Sequence, residues 1–286
     1  MINIHEYRSL RDGPAVLFLG AIHGNETCGP VAINAVMKKL ERGALALEKG
    51  SVIFVPVCNP GAYAKNKRYV DEDLNRVFAK SRVPKTYERT LANMLCPLVE
   101  HADVMIDLHS TGAKGRPTVF LDFPTKKNRL LAKEIGIDLA IAGWPELYTK
   151  DNRLVSNDTT VYANSEGKDC LLVECGQHAD RSAPKIAERT ILRVLAHYGL
   201  IRTRHTPTRA SKKMRVITMT ELFIKEHTDD LFSRKWKHLE VVKKGRIIGT
   251  RKSGGPIVLS EDRVMILPKY DPPVGKEWFY LGKYTE

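Results

Sequence analysis

The chain has 286 residues, 43% apolar and 28% charged, which is the profile of a globular protein and excludes a disordered one. No apolar run approaches bilayer-spanning length, and MINIHEYRSLRDG lacks a signal peptide's apolar core and cleavage pattern, so a cytoplasmic location is expected. The five cysteines include no Cys-x-x-Cys pair and fit reduced, buried thiols, and of the net charge of +13, residues 202–252 alone supply +10.

Residues 15–19, AVLFL, are a short unbroken apolar run stopped by Gly20, which predicts a buried strand. A polar loop follows, holding His23 and Glu26 in the pattern His-x-x-Glu, and helical spacing runs from Val31 to Gly43. SVIFVPVCN (51–59) predicts a second buried strand closed by Asn-Pro-Gly. Residues 60–82 are polar and irregular but contain the dense cluster RYVDEDLNR; so long a loop in a compact domain is more often functional than filler. Residues 86–101 read as a helix, DVMIDLHST (103–111) as a third buried strand, TVFLDF (118–123) as a strand and RLLAKEIGI as a helix. DCLLVECG (169–176) is a fourth buried strand, and an amphipathic helix spans 184–198. This alternation predicts an α/β fold with a mostly parallel sheet flanked by helices.

After Leu200 the texture changes. RTRHTPTRASKK reads as a basic linker, and then come short β-rich runs: RVITMTEL, EVVKK, RIIGT, PIVLS, RVMILP and EWFYLG. They predict a small C-terminal β domain. The expected organisation is a catalytic α/β domain over 1–201 and a β domain over 202–286.

Three of the buried strands run into ionisable groups: His23 and Glu26, then Asp107 and His109, then Glu174. Parallel strands bring such ends to one sheet edge, where ligands bind in open α/β folds. Two histidines and a carboxylate make a three-ligand shell with a fourth position open, the catalytic form of a zinc site. Asp107, on the same face as His109, would orient a ligand or pair with an arginine. Glu174, directly after LLV, is the candidate general base; a salt bridge is the plainer alternative. Cys28 and Cys175 read as packing, and His178 is ambiguous. Arg68, Asp73, Asn75 and Arg76 supply the fork and amide groups that bind a polar substrate, or form a surface network.

GAIHGNE, CNPGAYAKNKRYVDEDLNRVF, DLHST and LLVECG, in that order, resemble the aspartoacylase and succinylglutamate desuccinylase family of zinc hydrolases, which has a zinc carboxypeptidase-like fold. The resemblance covers roughly residues 15–200 and extends to the C-terminal β region. It implies one zinc per chain on His23, Glu26 and His109, Glu174 as general base and acid, and Arg68 polarising the scissile carbonyl. It also implies Asn75 and Arg76 holding the substrate carboxylate. There are two departures. The further arginine that aspartoacylases carry before the general base has no counterpart in NDTTVYANSEGKD, since Arg153 stands too early. The family's C-terminal active-site tyrosine has no clear equivalent, and Tyr280 is only the nearest choice.

The expected function is a zinc amidohydrolase acting on an N-acyl amino acid or similar small amide. The same residues would serve a metallocarboxypeptidase acting on a peptide or cell-wall fragment. From another class, residues 202–252 would bind nucleic acid without catalysis, but they lack the interleaved aromatics of single-strand binders. A small-molecule partner is expected, without nucleic acid or membrane; self-association is left open.

Overall fold

The structure is a computed structural model that describes residues 1–149, 157–202 and 214–285. The N-terminal half contains β1 (His5–Arg8), β2 (Ala15–Gly20), α1 (Cys28–Glu41), β3 (Ser51–Val55), α2 (Pro60–Ala64), α3 (Tyr87–His101), β4 (Val104–Thr111) and β5 (Thr118–Phe120). There follow α4 (Lys126–Ile135), β6 (Leu139–Ala142), α5 (Trp144–Thr149), α6 (Thr159–Ser165), β7 (Asp169–Gln177) and α7 (Ala183–His197). The rest is strand: β8 (Arg215–Ile224), β9 (Leu231–Phe232), β10 (Val241–Val242), β11 (Ile247–Arg251), β12 (Gly255–Val258), β13 (Arg263–Ile266) and β14 (Glu277–Tyr284). A 3₁₀ turn covers Leu74–Arg76.

Eleven strands form one sheet in the order β1-β3-β2-β4-β7-β5-β6-β8-β14-β13-β10, and β12-β11-β9 form a second. The expected α/β architecture is observed. Strands β3, β2, β4 and β7 are mutually parallel, so the ends of β2, β4 and β7 meet at one edge. The C-terminal strands are antiparallel among themselves, yet β8 pairs in parallel with β6 and so prolongs the main sheet. Residue 202 falls between α7 and β8, next to the segment outside the described residues, where most of the basic linker lies.

Strict alternation along the strands divides the core between the two faces of the sheet. Val16, Phe18, Ile106 and Val173 pack with Val36, Leu131 and Ile191 of α1, α4 and α7. Leu17, Leu19, Ile53 and Met105 pack with Leu91 and Leu95 of α3. Asp107 and His109 continue the register of Met105, and Glu174 faces His109 across the β4–β7 ladder.

Elements of two to seven residues were invisible to sequence periodicity: β1, α2, β6, α5, α6 and β9. Helix α1 begins at Cys28, three residues before the expected Val31, because Gly29 and Pro30 look like turn signals. Proline is tolerated in a first helical turn, where its missing N–H has no partner to lose.

Candidate metal centre and active site

The loop after β2 turns inward tightly. Gly24 packs so closely on α2 that a Cβ there would fall 2.2 Å from the Ala62 carbonyl carbon, so no side chain fits. The turn buries His23 and Glu26 at the sheet edge beside His109; each is 2% exposed, and their ligand atoms all lie within 4.8 Å of one another. One Glu26 oxygen is 2.9 Å from His23 Nδ1, and the other is 3.0 Å from His109 Nδ1. The far nitrogens also face carboxylates: His23 Nε2 is 3.0 Å from Asp73 Oδ1. His109 Nε2 is 2.8 Å from Asp107 Oδ2, a close contact without hydrogen-bond geometry. The Thr159 hydroxyl holds Asp107 Oδ2 at 2.6 Å, and the Ser110 N–H donates to Glu26 Oε2 at 2.9 Å. Two imidazoles and a carboxylate, with carboxylates behind both imidazoles, are the donor set and outer support of a divalent metal site. The residues therefore fit the metal that the sequence implied.

Electrostatics agree with that fit. Burial works to raise the Glu26 carboxyl, but His23 and His109 outweigh it and hold the group well below its ordinary range. Burial raises Asp73 too, and Arg68 and His23 pull it well down. Glu174 goes the other way. Burial, then the charge of Glu26, push its carboxyl up to about 8. Its Oε2 is buried without a hydrogen-bond partner, and Glu174 and His109 both line the cavity.

Arg68, Asn75 and Arg76 lie along the same cavity of about 720 Å³. Arg68 Nε donates to Asp73 Oδ2 at 2.9 Å, while its Nη1 stands 3.6 Å from Glu26. Asn75 Oδ1 accepts the Thr159 N–H at 3.1 Å, which ties the 3₁₀ turn to α6. The Arg76 guanidinium lies 5.1 Å from the Trp144 ring centroid and donates through Nε and Nη2 to Glu277 of β14 at 3.1 and 3.0 Å. Lys269 and the Tyr148 hydroxyl also donate to Glu277, at 3.0 and 2.7 Å. Tyr280 is fully buried at the cavity wall, its hydroxyl 2.8 Å from that of Tyr148. His178 also borders the cavity, its Nδ1 2.9 Å from Ser110 Oγ. Cys28 and Cys175 are buried. Arg153 lies outside the described residues.

Sequence reasoning missed several participants. Glu88, fully buried in the first turn of α3, accepts the backbone N–H groups of Val70, Asp71 and Glu72 at 2.7, 3.1 and 3.2 Å and so shapes the Arg68 loop. Asp122, Tyr148, Lys269 and Glu277 also went unnoticed. Only Glu88, a carboxylate at a helix start, carries even a generic sequence signal.

The sequence pattern of the succinylglutamate desuccinylase/aspartoacylase catalytic domain matches residues 12–198. The chain belongs to this family. Among members, it is 30% identical over 202 residues to an N-alpha-acetyl-L-2,4-diaminobutyric acid deacetylase from Halomonas elongata, covering 66% of this chain and 56% of that protein. A probable aspartoacylase from Prochlorococcus marinus is 35% identical over 34% of each chain. The aligned region thus spans from a third to a little over half of these relatives' lengths. Two solved structures have the same fold. A succinylglutamate desuccinylase/aspartoacylase from Rhodobacter sphaeroides superposes with a TM-score of 0.77 at 21% identity, over 99% of this chain and 90% of that one. The ectoine utilization protein from Ruegeria pomeroyi gives 0.76 at 21% identity, over 98% and 88%.

Proposed function

We propose that the chain is a zinc-dependent deacylase that hydrolyses the amide bond of an N-acyl amino acid, releasing a carboxylate and the free amine. Family membership supports the reaction class, and the observation that carries the reading is the buried, unpartnered Glu174 carboxylate oxygen in the cavity that the His23–Glu26–His109 trio also lines. Zinc on that trio would supply Lewis acidity and make a water more acidic near neutral pH. Glu174 takes the proton from the attacking water and delivers it to the nitrogen as the C–N bond breaks. Arg68, anchored by Asp73, donates to the carbonyl oxygen as charge develops on it. Asn75 and Arg76 hold the substrate carboxylate. Glu277 is shared between Arg76 and Lys269, so this end keeps one positive charge in excess.

In this reading the partner is a small molecule met in the cytoplasm, and the basic segment serves access rather than nucleic acid. No helix among the described residues is long and apolar enough to cross a membrane. The test is turnover on a panel of N-acyl amino acids against short peptides, with metal analysis of the same preparation. Hydrolysis of the N-acyl amino acids is expected; cleavage confined to peptides would replace this reading with a carboxypeptidase.

A further inference from the structure

Two walls of the cavity come from distant parts of the chain. One is the loop after β4, where Gly112 and Ala113 follow the strand that bears His109. The other is the loop between β13 and β14, where Leu267, Pro268, Lys269 and Tyr270 line the same space. A short segment between β9 and β10 joins the two. The His238 backbone N–H donates to the Lys114 carbonyl at 2.9 Å, and Gly115 lies so close that a Cβ there would fall 2.6 Å from His238 Cβ. On its other side, His238 Nδ1 accepts the Leu267 N–H at 3.1 Å. Its neighbours add two more bonds: the Leu239 N–H donates to the Met265 carbonyl at 2.7 Å, and the Tyr270 hydroxyl to the Trp236 carbonyl at 3.0 Å.

The bond from Leu267 asks for a particular side chain. Leu267 has a φ of 44°, in the left-handed region that a leucine adopts only where its surroundings hold it. The ring nitrogen that takes its N–H accepts only while the imidazole is neutral, with the proton on Nε2. His238 is 3% exposed, and burial pushes its pKa down to about 3, so the ring stays neutral and the acceptor is kept. Nε2 itself is buried without a partner, a cost that an aliphatic side chain in the same space would not carry. What an aliphatic side chain lacks is the acceptor. Two residues past Leu267, the Lys269 N–H donates to the Trp278 carbonyl of β14 at 2.9 Å, and its ammonium to Glu277 at 3.0 Å. Glu277 in turn holds Arg76. The turn at 267–270 is thus fixed by β14 on one side and by the 236–239 segment on the other.

We propose that His238 is a positioning residue: through Nδ1, and with the Trp236 carbonyl beside it, it clamps the 267–270 turn against the loop after β4 and so sets where Lys269 and Arg76 present their charge to the substrate. The effect on substrate rests on the deacylase reading; the clamp itself does not.

The experiment sets acceptor against volume. His238→Leu fills the space without an acceptor; His238→Asn is smaller but returns an oxygen near the place of Nδ1. Each variant is made in the zinc-loaded full chain and read by turnover of N-acyl amino acids and by hydrogen exchange at the amides of Leu267, Lys269 and Tyr270. A buried hydrogen bond of this kind is worth about tenfold. We therefore expect H238L to speed exchange at these amides by about tenfold and to raise KM by a similar factor, with kcat within a few-fold and metal content unchanged. H238N should bring both back to within a few-fold of the wild type. A KM in H238N as high as in H238L would make packing the whole role of His238 and overturn the proposal, as would wild-type exchange or wild-type KM in H238L. Tyr270→Phe removes the second bond at a residue 43% exposed, so it folds even where H238L does not. It should loosen the same amides and raise KM several-fold; wild-type values for both would overturn the clamp. Faster exchange in H238L, reversed in H238N, with no N-acyl compound hydrolysed by the wild type, would uphold the clamp and overturn the deacylase reading alone.

Discussion

Glu174 faces His109 across the β4–β7 ladder, and its buried Oε2 has no hydrogen-bond partner. Glu174→Gln keeps the shape and removes the base. We expect it to retain metal and melting temperature while kcat falls by about a hundredfold to ten-thousandfold. A metal-loaded and fully active E174Q would remove Glu174 from the mechanism; a stability loss with retained turnover would make it a structural residue. The trio answers to a different measurement. The purified chain should hold about one zinc, and His23→Ala or His109→Ala should lose metal and activity together, read by elemental analysis. Metal retention in the double variant would reject these ligands.

At the scale of elements, the loop that carries Arg68, Asn75 and Arg76 hangs from α3 through Glu88. Glu88→Ala would leave three backbone N–H groups without their acceptor, together with the Asn59 side-chain amide. We expect a loss of about 3 kcal/mol in denaturant unfolding and a raised KM, because the substrate-holding turn loses its anchor. Wild-type stability and KM in that variant would refute the anchoring role. The three buried strands that converge on the site were legible because each is an apolar run broken only where a ligand-type residue begins. His23, Glu26, His109 and Glu174 stand at such breaks. Asp122, Tyr148 and Glu277 could not be read this way. Asp122 follows a strand of three residues, Tyr148 sits in a helix of six, and Glu277 reaches the site only through pairings between β14 and β8 and between β8 and β6. Long-range pairing of that kind leaves no periodic mark along the chain. The small C-terminal β region was visible as texture, but its junction with the main sheet was not.

For the whole molecule, several cations of the basic stretch are held in ion pairs. In the basic stretch Arg234 pairs with Glu240, Lys243 with Asp262 and Arg251 with Glu226. We expect no micromolar, salt-sensitive binding to random oligonucleotides at physiological ionic strength; finding it would contradict the small-molecule reading. Glu277 joins β14 to the turn at Arg76. Burial tends to raise its carboxyl, but Arg76 and Lys269 depress it far below its unfolded range. Its contribution to stability is therefore present above the unfolded carboxylate pKa and lost as pH falls below about 4. Glu277→Gln should flatten the acid limb of the stability profile and cost about 3 kcal/mol at neutral pH, measured by denaturation across pH. An unchanged profile would show that the cluster adds no stability. Strand β14 lies inside the sheet, between β8 and β13, although it follows every other described strand in sequence. During synthesis the sheet therefore cannot close until residues 277–284 have left the ribosome. Until then β8 and β13 present bare edges, the kind that recruit other chains. A chain halted before Glu277 would lack Glu277 and Tyr280 as well as the strand, so premature termination should yield aggregate and not a slower enzyme.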